Sequence, residues 1–520
     1  MTEEVGPQPG AAAVAPSVRL ALVIAGAVSL GAYEAGALTA LTRLIRESKG
    51  AIVVDTIAGA SAGSITAVLL AHALLSGAGE DDLQELWVTL TSIDTMLKGR
   101  PKPGRPPAPL STRLLEDWAA GAVARRGTPI QTEPIATVLS VTNIRGLRYR
   151  IAQGISGRTV PADTFRDART FLLTPDTDWA GPIETALASA ANAFAFAPVQ
   201  MERRREEYPS EVEFPATRAA FWYTDGGTVY NEPLGFAIDA INDPGSLRID
   251  RERPQGGERL FLLVHPDPSS PPAMWPVGGG RPTFRAASLR SWLKLAMSQS
   301  LLDDLRRMEK TNSRIVARWQ VQTALSTLLG DVPAEQASAM VRSMSANAVR
   351  RKVVVRGITG RALDERLQRL VDAVEGAGTL DGGTMMELLD FTLDEATGTG
   401  FKEVFDVEVV SPELDPSGRS PHDLLAGEKM AHFFGFALVA ARESDFGLGY
   451  THFRLWWERF ASQPPPGWPA LPALGIPPHP LEAKATGGEL GLASLGLWRK
   501  LWLGLRLGIR YVREMVRRDA

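Results

Sequence analysis

Three short runs of this sequence carry residue types that could act together in acyl transfer. The sharpest is Gly59-Ala60-Ser61-Ala62-Gly63, a G-x-S-x-G that follows an apolar stretch ending at Ile57 and precedes one with helical spacing. A serine at such a strand-to-helix corner sits in a strained backbone that exposes its hydroxyl, and Gly59 and Gly63 are the small neighbours that a crowded turn requires. The corner also puts Ser61 at a helix N-terminus, where the dipole favours developing negative charge. The second run is the loop Gly26-Ala27-Val28-Ser29-Leu30-Gly31. Acyl transfer needs backbone N–H donors aimed at a tetrahedral oxyanion, and a tight small-residue loop beside the elbow supplies them. The loop lacks both the G-x-G-x-x-G spacing and a P-loop lysine, which argues against nucleotide binding. The third run is Thr224-Asp225-Gly226-Gly227, followed by Asn231-Glu232-Pro233. A carboxylate followed by two glycines suits a tight turn that holds its side chain against another loop. Taken singly, each run also reads as an ordinary turn; their combination points to a site.

Together the three runs resemble the patatin-like phospholipase family, which has a Gly-rich oxyanion loop after the first strand, a G-x-S-x-G elbow soon afterwards, and a D-G-G or D-G-A motif much later. The alanine- and serine-rich stretch from Ala188 to Pro198 is similar to one that the family places between elbow and aspartate. The resemblance covers residues 19 to 240. It implies Ser61 as nucleophile, Asp225 as dyad aspartate, residues Gly26 to Gly31 as oxyanion loop, and a phospholipid or other lipid ester as substrate. One departure stands out: where the family usually has three glycines and an arginine, this loop reads Gly26-Ala27-Val28-Ser29-Leu30. Ala and Val tolerate fewer backbone conformations than Gly, and the charge is lost. The variant loop is similar to a bacterial patatin-related subgroup with a long C-terminal region.

The resemblance implies that Asp225 takes the Ser61 proton directly, so no histidine is required. A carboxylate is a weak base at neutral pH, and a desolvated Asp225 is therefore expected. Two alternatives stand beside the dyad. His265, at the end of an apolar run, would complete a Ser, Asp, His chain order. The altered loop would also suit a catalytically weak patatin-fold protein that binds lipid or a partner. The remaining histidines show no ligand spacing, so neither a metal nor a cofactor is expected.

These loops need rigid elements behind them. Arg19 to Ile24 and Ala51 to Ile57 read as strands buried on both faces, each followed by a helix, at Ala32 to Arg46 and Ser64 to Leu75. This is the start of a parallel α/β sheet. Further strands are expected at Ala136 to Asn143, Leu147 to Gln153 and Arg259 to His265, and helices at Pro182 to Ala191 and Glu232 to Ile241. The expected fold is α/β, a three-layer patatin-like arrangement with a mostly parallel sheet plus a largely helical C-terminal region. The division reads as a disordered lead at 1–18, a catalytic domain at 19–283, a helical region at 284–461, a Pro/Gly-rich linker at 462–491 and a basic amphipathic helix at 492–520.

The chain has 520 residues, 44% of them hydrophobic, a formal net charge of -3 and no cysteine. That composition supports a large core, excludes disulfides and a cysteine nucleophile, and gives no global field for nucleic acid. A cytoplasmic enzyme is expected. Between 497 and 518, arginines on one stripe face Trp498, Trp502 and aliphatic residues on the other, the pattern of a helix that lies in a membrane interface. Peripheral membrane attachment through this segment is one expectation; a helix that docks its apolar face on the body and leaves its arginines in water is the other.

Overall fold

The computed structural model describes residues 18–98, 106, 108–153, 158–193, 195–250, 257–266, 299–358, 365–400, 402, 404–429, 433–465, 468, 471 and 474–485. The expected lead, apart from Val18, and the expected basic helix at 492–520 lie outside the described residues. Two compact units are present, one made of residues up to 302 and from 406 onward, the other of residues 303–405.

The first unit is built on eight strands: β1 (Val18–Ile24), β2 (Ile52–Ala60), β3 (Ile135–Gln153), β4 (Arg158–Leu173), β5 (Val199–Arg204), β6 (Arg218–Thr224), β7 (Glu258–Val264) and β8 (Asp406–Val410). Strands β8, β7, β1, β2 and β3 pair in that order and all in parallel, while β4, β5 and β6 add antiparallel ladders beyond β3. Every residue of β1 and β2 is buried, as central parallel strands covered on both faces must be. Helices α1 (Gly31–Ser48), α2 (Ala62–Ser76), α3 (Arg113–Val123), α4 (Ala180–Ser189) and α5 (Leu234–Asn242) fill the crossovers and flanks. The fold is the expected α/β arrangement with a mostly parallel sheet and a helical C-terminal region.

Registry places the site. Strand β4 runs along one edge of β3 continuously from Ile135 to Thr142, so β2 and β6 share the other edge. There β2 pairs in parallel up to Ala60 opposite Ser140, and β6 takes over antiparallel, ending with Thr224 opposite Thr142. Two strands of opposite direction thus end head to head on one edge, and the next residues in the chain are Ser61 and Asp225.

The C-terminal part of this unit returns to the sheet. β8 extends β7, and the helix Val439–Ser462 packs along α1 at backbone contact. A Cβ on Gly36 would sit 2.0 Å from the Phe446 carbonyl oxygen, and one on Gly449 would sit 1.9 Å from that of Tyr33. Buried polar links cross the same seam, with Tyr33 Oη 3.0 Å from His452 Nδ1 and Arg43 donating to Tyr450 Oη at 2.9 Å. Residues 474–485 lie against this helix as well: Trp457 donates to the Leu474 carbonyl and Tyr450 to that of Pro477.

In the second unit, α6 (Gln299–Gly330) is followed by α7 (Ala334–Ile358), α8 (Glu365–Glu375) and α9 (Gly382–Thr397), and the C-terminal helix Val439–Ser462 of the first unit becomes α10. The second unit has its own small core of Val341, Val349, Leu370 and Leu388.

Candidate active site

Ser61 follows the last residue of β2 and precedes the first of α2, with φ at 53° and ψ at -126°. A positive φ is costly for any residue with a Cβ, of order 1–3 kcal/mol, and the elbow is held there by close packing. A Cβ on Gly59 would come within 2.8 Å of the Gly63 carbonyl oxygen, and one on Gly63 within 2.5 Å of both the Ile24 and Ala25 carbonyl oxygens. Backbone atoms cannot move aside as side chains do, so both positions require glycine.

The Ser61 N–H donates to Ser189 Oγ at 2.8 Å, Ser64 Oγ donates to the same oxygen at 2.8 Å, and Ser189 Oγ donates to the Ser140 carbonyl at 2.6 Å. Ser189 therefore ties the elbow to β3. It ends α4 and opens the alanine- and serine-rich stretch, whose other members hold the aspartate. Ala191 O accepts from the Asp225 N–H at 3.0 Å and from Thr224 Oγ1 at 2.7 Å, while Asn192 Nδ2 lies 3.4 Å from Asp225 Oδ2. Neither Ser189 nor Asn192 stands out as polar chemistry in the sequence; the stretch that contains them does.

Asp225 is buried, with Oδ1 accepting from the Gly227 N–H at 2.9 Å. Burial pushes its carboxyl up to about 6, opposed by hydrogen bonds from the Ser61 hydroxyl, the Gly227 N–H and the Asn192 amide. Gly226 is needed because a Cβ there would lie 2.0 Å from the Ser140 carbonyl oxygen. His265, by contrast, has Nε2 3.2 Å from Glu232 Oε1, and neither Ser61 nor Asp225 is hydrogen-bonded to it.

That histidine belongs to a buried chain that ends on the loop at 26–31. Glu232 Oε1 accepts from Asn231 Nδ2 at 2.8 Å, Asn231 Nδ2 also donates to the Gly26 carbonyl at 3.2 Å, and Gly26 N–H donates back to the Asn231 carbonyl at 3.1 Å. Gly26 is thereby fixed against the aspartate loop, so close to Ser61 that an added Cβ would sit 3.0 Å from Ser61 Cβ. The Leu30 N–H is taken by the Ala27 carbonyl at 2.9 Å. Among the described residues, no acceptor meets the N–H groups of Ala27 and Val28. Val28 has φ at 51°, unusual for a β-branched side chain. Gly31 is seated under Trp87, whose ring atoms would lie 2.6 Å from an added Cβ.

A cavity of about 580 Å³, partly open to solvent, has Ser61, Asp225, Val28, Trp87, Phe196 and Phe436 in its walls. A neighbouring cavity of about 420 Å³ shares Ile65, Thr91, Leu115 and Leu187 with it and reaches Val68, Trp118 and Ala119. The surface along both is overwhelmingly apolar, and among the described residues their walls include no lysine or arginine.

Among the described residues, no group of three or more His, Asp or Glu side chains is placed to hold a metal ion, and no helix is long and apolar enough to cross a membrane.

Residues 22–238 match the family model described as patatin-like phospholipase. An uncharacterized membrane protein of Mycobacterium tuberculosis is 25% identical over 307 residues, a stretch that covers 53% of this chain and 27% of that relative. The chain thus matches little more than a quarter of that longer protein.

Proposed function

Residues 22–238 are a patatin-like phospholipase domain, and from that premise we propose that the chain is a lipid acyl-ester hydrolase of phospholipase A type, with Ser61 as nucleophile and Asp225 as its base. The observation that carries this reading is the hydrogen bond between the Ser61 hydroxyl and a buried carboxyl whose proton affinity burial has raised to about 6. An ordinary surface aspartate would be too weak a base; one near 6 is ionised at neutral pH yet basic enough to accept the proton in the transition state.

In the proposed reaction, Ser61 Oγ attacks the ester carbonyl while its proton passes to Asp225. Negative charge on the carbonyl oxygen is received by the N–H groups of Ala27 and Val28, with the α2 N-terminus alongside. Collapse expels the alcohol, which takes the proton from Asp225, and leaves an acyl-enzyme. Water then attacks with its proton going to Asp225, and Ser61 recovers that proton as the fatty acid leaves. The His265 pairing with Glu232 favours the dyad over a triad. Apart from Asp225, the walls carry no charge and are largely apolar, which suits a long acyl chain and leaves a charged head group outside.

Fatty-acid release from mixed phospholipid vesicles tests the proposal. Ser61→Ala and Asp225→Asn are expected to lower the rate by at least about a thousandfold, as loss of a member of a nucleophile–base pair does. Release that persists in both variants would overturn the assignment, and wild-type enzyme that releases nothing would favour a lipid-binding protein.

A further inference from the structure

Residues 425–429 and 433–448 lie outside the family-matched residues, yet they form the outer seat of the loop at 26–31. Leu30 and Ala27 are buried in one apolar cluster with Tyr33, Leu425 and Leu448. The chain approaches the loop at two glycines. A Cβ on Gly435 would sit 2.3 Å from Ser29 Oγ and 2.9 Å from Ser29 Cβ, and one on Gly427 would sit 2.7 Å from Leu30 Cδ2 and 3.1 Å from Ser29 Oγ. These glycines are held from behind by two buried polar side chains on α10. Asp445 Oδ1 accepts from the Ala426 N–H at 2.8 Å and Oδ2 from the Gly427 N–H at 2.9 Å. Arg442 donates to the Gly435 and Phe436 carbonyls at 3.2 and 2.7 Å.

The loop needs such a seat. Gly26 fixes one end through Asn231, but the next residues include a valine at positive φ, a conformation that survives only where surrounding structure imposes it. Glycine would take such a conformation at no steric cost; this sequence has Ala27 and Val28 here. We infer that Gly427 and Gly435, positioned by Asp445 and Arg442, form a clamp on Ser29 and Leu30 that holds Val28 at positive φ, so that the oxyanion donors depend on the C-terminal segment. The clamp residues are positioning residues, since none touches the reacting atoms. The inference rests on the acyl-transfer reading above.

The test is a double-mutant cycle between Gly435 and Ser29 in the full chain, read by kcat, KM, the rate of labelling by a fluorophosphonate serine probe, and Tm. Gly435→Ala is expected to lower kcat and the labelling rate at least tenfold, approaching the roughly hundredfold cost of losing one oxyanion donor, with a KM change under about threefold. Adding Ser29→Gly removes the two atoms that the new methyl would strike. The double variant should regain most of the lost kcat and labelling rate, and an assay temperature well below the Tm of all variants separates this fall and recovery from a general loss of stability. Wild-type kcat in Gly435→Ala, or a loss that Ser29→Gly does not restore while Tm stays at the wild-type value, would overturn the clamp. If Gly435→Ala does not fold, Asp445→Asn is the second variant: it keeps one acceptor for the two N–H groups, and the same fall in kcat at unchanged KM is expected, with unchanged kcat contradicting the inference. Wild-type protein that neither hydrolyses lipid nor takes the probe would overturn the acyl-hydrolase reading instead. The Tm cycle would then still report on the contact, since Ser29 and Gly435 couple in stability only if the seat exists.

Discussion

At the scale of single residues, the account turns on one buried carboxyl. Asp225 has its proton affinity raised by burial to about 6, and the proposed base must be ionised to act. Activity should therefore be present above about pH 6 and fall as pH drops through that value, measured as kcat/KM against pH. The stability consequence has the opposite sign. A carboxyl raised above its unfolded value of about 3.9 binds more protons when folded, so it costs stability once pH rises through 6, on the order of 3 kcal/mol at most. Asp225→Asn should thus be inactive yet more resistant to urea at pH 8 than the wild type, with the advantage vanishing near pH 4. His265 makes the converse prediction. It supports the loop through Glu232 and Asn231, so His265→Ala should lower kcat by less than about tenfold; a thousandfold loss would mean that the histidine takes part in proton transfer. Ser61, Asp225 and the flanking glycines were legible because local backbone demands write them into consecutive residues. The tasks of Ser189, Asn192 and Asn231 were not, because each acts on a loop far away in the chain; their signals were only the alanine- and serine-rich setting of the first two and the place of Asn231 just after the Asp-Gly-Gly run.

At the scale of elements, the elbow and its neighbouring loop are determined by contact with backbone. Gly63→Ala would place a methyl 2.5 Å from two carbonyl oxygens of the β1 end; a loss of several kcal/mol in urea unfolding is expected, in the range of overpacked cores or beyond. Val28→Gly works in the other direction. It relieves a positive φ worth about 1–3 kcal/mol and adds unfolded-state entropy of somewhat less than 1 kcal/mol, so Tm should hold or rise slightly; a clear fall would mean that the valine side chain itself anchors the loop. The first two strand–helix pairs could be read from the sequence because buried parallel strands are continuous apolar runs. β4 could not: Arg158, Pro161, Asp163, Arg166, Asp167 and Arg169 look like a loop, and the strand exists because its backbone pairs along β3, with Arg148 and Asp163 facing each other across the ladder. The five-residue β8 was equally hidden, since Asp-Val-Glu-Val-Val is a very short run among helical stretches and its place beside β7 is a tertiary fact.

At the scale of the whole molecule, the folded unit that carries Ser61 and Asp225 is larger than the stretch that matches the family. Its sheet is extended by β8, α1 is covered by α10 at glycine-to-backbone distance, and Phe436 stands in the wall of the cavity beside Ser61. A chain ending near residue 404 would expose the β7 edge and the buried face of α1. It should fail to give a cooperative thermal transition, even though the family match ends at residue 238; a stable, active truncation would show that the C-terminal elements are additions to a self-sufficient domain. Helical periodicity after residue 300 foretold helices but not that the chain leaves the sheet for a separate unit at 303–405 and then returns, because the pattern of a helix does not say which surface it will cover.

The measurement that bears most directly on the central claim is the pH-dependent labelling of the full chain by a fluorophosphonate serine probe, with the adduct located by mass spectrometry. A single adduct on Ser61 is expected, with a labelling rate that rises through about pH 6, loss of labelling in Asp225→Asn and its retention in His265→Ala. An adduct on another serine, or an Asp225→Asn variant that labels at the wild-type rate, would contradict that claim.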